Sequence, residues 1–154
     1  MDKSKVVSAF AQATSQNIAN LVASLEDTRK RTQDAPGSNT THSDTSKFQL
    51  GNLALSIEVQ VQKARETLAY ISSIPVHCEQ IVQVGSVFEL MDTKTEGIKT
   101  FFLVGIGGGE TFSVDGITII TTTFSSPLGR VCIGKKNDQE VSCNGRTYII
   151  KNVE

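Results

Sequence analysis

Between Val6 and Ile71 the apolar residues of this chain recur every three or four positions, and from Val82 onward they recur about every two. That single change of period divides the chain into a helical first half and a strand-rich second half. It falls beside Ile74-Pro75, where proline turns the preceding residue away from helical geometry. The first stripe runs through Val6, Val7, Phe10, Thr14, Ile18, Leu21, Val22, Leu25 and Thr28. It is narrow and partly polar, which suits a seam between two helices better than a deeply buried helix. Arg29, Lys30 and Arg31 place three cations near the end of this helix, where its dipole is negative.

Residues 33–46 carry almost no apolar content and include Pro36-Gly37, a strong turn signal. They predict a loop, with Ser43, Asp44 or Ser46 as caps for a second helix from about Lys47 to Ser73. Its stripe is Leu53, Ile57, Val61, Ala64, Leu68 and Ile71, with Gly51 a weak point. Two such helices joined by a polar loop form an antiparallel hairpin. At about 1.5 Å per residue each helix measures about 40 Å, so the loop is expected to project as a tip.

In the second half, Val82 to Leu90 predicts one or two strands around Gly85, and Thr100-Phe101-Phe102-Leu103-Val104 the next. Gly105-Ile106-Gly107-Gly108-Gly109 reads as a flexible hairpin loop. It lacks the Lys-Ser/Thr of a phosphate-binding P-loop and the helix of a dinucleotide-binding turn. Residues 117–123, 139–142 and 147–150 complete the strands, with Asn144-Gly145 as a two-residue hairpin between the last two. The segment Ser126-Pro127-Leu128-Gly129-Arg130-Val131-Cys132-Ile133-Gly134-Lys135-Lys136 predicts one short helix marked at both ends. Ser126 is its cap, Pro127 its first residue and Gly134 its left-handed stop. The fold class is therefore α+β, a helical hairpin over residues 1–75 and a sheet domain over 80–154.

Fifteen Lys and Arg face sixteen Asp and Glu, which argues against a protein that coats DNA. With no Trp and few aromatics the core is expected to be aliphatic. Cys78, Cys132 and Cys143 form no CxxC pair, and neither His42 nor His77 completes a zinc pattern, so reduced thiols are expected. His42 reads as an exposed loop residue, with no nucleophile or acid in a pattern that would make it catalytic. No apolar run matches a membrane span and no signal peptide is evident, so a cytoplasmic location is expected.

The order of a long helical hairpin and a small sheet domain resembles the Gre-type transcript-cleavage factors. The resemblance is carried by Val84-Gly85-Ser86-Val87-Phe88, Ser126-Pro127-Leu128-Gly129, Ile133-Gly134-Lys135-Lys136 and Tyr148-Ile149-Ile150-Lys151-Asn152-Val153. Together with Gly107-Gly108-Gly109 it is similar to a short Gre-like subgroup. The resemblance implies an antiparallel coiled coil, a C-terminal antiparallel sheet of FK506-binding-protein type, and bacterial RNA polymerase as partner. In such factors the hairpin enters the secondary channel and tip acids share a Mg²⁺ ion with the polymerase, because that ion takes hard oxygen ligands. Here the Glu-Asn-Ala-Glu-Tyr-like acidic motif is missing. Only Asp34 and Asp44 stand in the loop, ten positions apart. They are either a pair that reaches the shared metal or solvated turn and cap residues. The resemblance thus implies a factor without enzymatic activity or cofactor of its own, acting by occupancy. Indirect contact with nascent RNA is compatible with it; membrane binding and sequence-specific DNA binding are not expected. Arg29, Lys30, Arg31, Arg130, Lys135 and Lys136 are the candidate partner contacts, or simply solvated surface cations. Two alternatives stand: an active cleavage stimulator using Asp34 and Asp44, and a prolyl isomerase or chaperone-like module. The latter needs an aromatic-lined pocket from Phe88, Phe101, Phe102, Phe112, Phe124 and Tyr148, most of which are expected in the core.

Overall fold

The computed structural model describes residues 2–34, 41–75 and 80–154, and for 41–45 the backbone alone. Two helices come first, α1 (Lys3–Asp34) and α2 (Thr41–Ile71). Six strands and one short helix follow: β1 (Val87–Asp92), β2 (Ile98–Val104), β3 (Thr111–Val114), β4 (Ile117–Thr123), α3 (Pro127–Cys132), β5 (Glu140–Cys143) and β6 (Arg146–Lys151). The chain resolves into two compact units, Met1–Ala13 with Ala69–Glu154, and Thr14–Leu68. The first thirteen residues, expected in the hairpin, therefore belong with the sheet.

Both helices run further toward the turn than expected. Arg29, Lys30 and Arg31 lie inside α1, which continues to Asp34. Asp44 and its neighbours Ser43 and Ser46 lie inside α2, which starts at Thr41, so none of the three is its cap. A polar composition argues against a buried helix, not against a solvated one, and Thr, Ser and Asp cost a helix only tenths of a kcal/mol each. Of the predicted loop, residues 35–40 lie outside the described residues.

The hairpin unit holds a small core of Leu25, Ile57 and Val61, flanked by Leu21, Val22 and Ala54. Leu53, expected in the α2 stripe, is instead 46% exposed. Leu50 and Ala54 are half-buried in its place. A phase error of one residue explains the exchange, because residues 50, 54, 57 and 61 also follow the helical repeat.

The sheet order is β3-β4-β2-β1-β6-β5. Four pairings are antiparallel, as expected, but β2 and β4 run parallel, with Thr100 opposite Ile119 and Val104 opposite Thr123. The sheet is therefore mixed. The chain reverses once through residues 105–110 and again at Asp115-Gly116, so β4 regains the direction of β2 and inserts between β2 and β3. Strand β3, absent from the sequence reading, is the edge this reversal needs. Asp115-Gly116 and Asn144-Gly145 both have positive φ at both central residues, the geometry of tight two-residue hairpins. Val82, expected in a strand, lies ahead of the turn at residues 83–86, in which Gly85 takes φ 92°.

Phe101 and Phe102 are adjacent in β2 and point to opposite faces of the sheet. Phe101 stacks on Phe88 with centroids 5.9 Å apart, inside the cluster of Leu90, Leu103, Cys132, Val141 and Ile150 that α3 covers. Phe102 meets Phe10 of α1 edge-on at 6.1 Å, and Phe112 stacks on Phe10 at 5.7 Å. Five of the seven phenylalanines, Phe10, Phe88, Phe101, Phe102 and Phe112, are buried, so the core is less purely aliphatic than expected. Aromatic side chains are few but each covers a large area, and the two faces of one sheet take these five.

Candidate functional site

The helix announced by Ser126-Pro127-Leu128-Gly129 forms where expected, and hydrogen bonds and packing account for its motif. Ser126 is extended (φ −68°, ψ 155°) and its Oγ accepts the Gly129 N–H at 3.0 Å. The same hydroxyl donates to the Thr123 carbonyl at 2.7 Å, which ties the cap to the end of β4. Thr122 Oγ1 lies 2.9 Å from it on the other side. Pro127 occupies the first turn. Gly129 is required by space: a Cβ there would lie 2.0 Å from the Thr123 carbonyl oxygen. Gly134 takes φ 76° after the last turn, and its N–H donates to the Val82 carbonyl at 2.8 Å. The motif thus fixes α3 against the sheet, and its residues have no need of chemistry to explain them.

Around this helix Arg130 and Lys136 are exposed and Lys135 is half-buried. The backbones of Lys135 and Lys136 are held by hydrogen bonds, Val82 N–H to the Lys135 carbonyl at 2.8 Å and Lys136 N–H to Gln139 Oε1 at 2.8 Å. Phe124 and Ile133, at the two ends of α3, are 48% and 45% exposed. Cys132 is buried and burial pushes its thiol up to about 12, with nearby Cys143 adding to the shift, so it stays protonated and unreactive at neutral pH. Cys78 and His77 lie outside the described residues.

On the hairpin, Arg29 pairs with Glu58 of α2, so its charge is spent between the two helices. Lys30 and Arg31 are exposed on α1. Asp34 is exposed at the end of α1, and the side chains of Asp44 and His42 lie outside the described residues. Among the described residues no group of three or more His, Cys, Asp or Glu side chains is placed to hold a metal ion. None of the helices, among the described residues, is long and apolar enough to cross a membrane.

Sequence reasoning missed two features. The first is a line of exposed apolar side chains on α2: Phe48 at 71%, Leu55 at 61% and Val59 at 54%. Spacings of seven and four residues place them within about 40° of one another, on the side of α2 opposite Ile57 and Val61. The signal was present, since α2 carries apolar residues at more positions than one seam uses. The second is a cavity of about 330 Å³ beside α3, walled by Leu90, Phe101, Leu128 and Tyr148 and edged by Asp92 and Arg146. Backbone N–H groups of Lys94 and Thr95 at 2.9 and 3.3 Å from Asp92 Oδ1 hold that carboxyl below its usual range against the opposing cost of burial. Only folding brings Asp92 to Arg146.

No protein-family model and no curated protein matches the chain in sequence. Solved structures that align with it include the following three. GreA factor homolog 1 (Gfh1) of Thermus thermophilus is 19% identical with a TM-score of 0.37 and 95% of each chain covered. Thermus aquaticus Gfh1 is 18% identical with a TM-score of 0.39, covering 93% of this chain and 95% of that one. A further structure of the transcription factor Gfh1 is 17% identical with a TM-score of 0.37, covering 95% and 94%.

Proposed function

We propose that this chain is an accessory factor of bacterial RNA polymerase, of a short Gre-like kind with a degenerate tip, working in the cytoplasm. Its hairpin enters or competes for the secondary channel, and its sheet unit, with the FK506-binding type of fold, anchors it at the channel rim. The effect is by occupancy: the factor changes nucleotide entry or displaces true cleavage factors, and supplies no enzymatic activity or metal of its own. The observation that supports this reading most is the line Phe48–Leu55–Val59. A two-helix hairpin needs one apolar seam, and α2 carries a second, exposed one. Exposed apolar surface on a charged, solvated helix marks a contact with another macromolecule. The sequence motifs from Ser126 to Lys136, Arg130, Lys135 and Lys136 among them, support the identity of that partner. Lys30 and Arg31 are the hairpin cations left for it, since Arg29 is engaged by Glu58.

Transcript cleavage on stalled elongation complexes separates occupancy from cleavage. The chain alone is expected to leave the transcripts uncut, and to slow cut-back when added to a cleavage-competent Gre factor. Cleavage by the chain that disappears in an Asp34→Ala, Asp44→Ala double variant assigns those acids to the shared Mg²⁺ and overturns the occupancy reading.

A further inference from the structure

The cavity beside α3 has the volume of a small-molecule pocket, and its chemistry is lopsided. Its apolar lining is Leu90, Phe101 and Leu128 with the ring of Tyr148, and its charged lining is Asp92, Lys99 and Arg146. The two signs of charge are not equally free. Asp92 is 9% exposed, and its Oδ1 already accepts two backbone N–H groups. Arg146 lies 3.8 Å from Asp92 Oδ2, an ion pair too long for a hydrogen bond, and its side chain is 67% exposed. Its fork of N–H donors is therefore available. Lys99 is exposed as well. The phenol of Tyr148 makes no hydrogen bond among the described residues.

A cation would meet Arg146 and Lys99 beside a carboxylate that already accepts two N–H bonds on Oδ1. An anion finds two cations and unspent donors, against a single fixed negative charge. We infer that this cavity is a binding site for a small amphipathic carboxylate. Its aryl or branched alkyl body, on the order of ten non-hydrogen atoms, fills the space between Phe101, Leu90 and Leu128. Its carboxylate takes paired N–H bonds from Arg146, with Lys99 adding charge. The groups that line the cavity all belong to the sheet unit, so the site is independent of the hairpin and of the polymerase reading.

The test is a methyl and amide NMR titration of the full chain with 3-phenylpropionate, 3-phenylpropionamide and N-acetylphenylalanine. Saturable shifts are expected at Leu90, Leu128 and the backbone around Phe101, with the acid binding about tenfold tighter than its amide. Arg146→Gln is exposed enough to fold normally and should weaken the acid about tenfold while leaving the amide unchanged. If N-acetylphenylalanine binds more tightly than phenylpropionate, the natural occupant is the carboxyl end of a peptide; if more weakly, a free acid. Absence of saturable shifts at these residues up to on the order of 50 mM ligand overturns the site. So does equal binding of acid and amide, or an Arg146→Gln variant that binds the acid as before.

Discussion

The sheet unit and the hairpin unit of this chain are stabilised in different ways. In the sheet unit Phe10, Phe88, Phe102, Leu103, Ile119 and Ile150 are all buried to within 1% of full enclosure. Both faces of one sheet are covered, and each turn is fixed by a glycine, a cap or a threonine. Thr121 Oγ1 alone donates to the Gly107 carbonyl at 2.7 Å and accepts the Glu110 N–H at 2.9 Å, so the glycine run expected to be flexible is tied down. Among the described residues of the hairpin unit the apolar cluster is Leu25, Ile57 and Val61, each 6–8% exposed, and a second apolar line faces outward. Residues that could have deepened the seam are spent on the surface. The contrast separates a unit that encloses its apolar side chains from one that leaves several of them exposed.

The contrast can be broken first at Phe10. Phe10→Ala empties the space between Phe102 and Phe112 and should cost the sheet unit about 4 kcal/mol in denaturant unfolding, since buried Phe→Ala changes fall there. A loss near zero would mean that α1 is not part of that core. Gly129→Ala comes next, at about 3 kcal/mol, because the new methyl meets a backbone carbonyl that cannot swing aside. Ser126→Ala in parallel should cost only about 1 kcal/mol, the value of a cap. Ile57→Ala should cost about 2 kcal/mol, the low end for a core truncation, because the hairpin core is small and can collapse. Its signature is faster hydrogen exchange confined to residues 14–68. Smallest is Arg29→Ala, an exposed ion pair worth at most about 0.5 kcal/mol in thermal unfolding. A larger loss would give the hairpin an electrostatic lock that its exposure argues against.

Much of this was legible along the chain. The change of period at Pro75 gave the two halves, and Ser126, Pro127 and Gly134 marked α3 because caps are local chemistry. Asn144-Gly145 announced its hairpin for the same reason. What was illegible is long-range. The parallel pairing of β2 with β4 depends on β3, four residues with a pattern too short to read. The helical state of residues 41–46 was hidden by their polarity, which speaks about burial and not about backbone shape. The cavity joins Asp92 and Arg146 across 54 positions by sheet register, where Asp92 faces Tyr148, and no local pattern encodes that.

The central claim is that α2 gives its outward apolar line to RNA polymerase. The direct measurement is equilibrium binding of the full chain to core polymerase, compared with a Leu55→Asp, Val59→Asp double variant whose circular dichroism matches the parent. One-to-one binding that weakens by about a factor of ten or more in the variant is the expected result. Absence of binding, or binding that the two charges leave unchanged, contradicts the account.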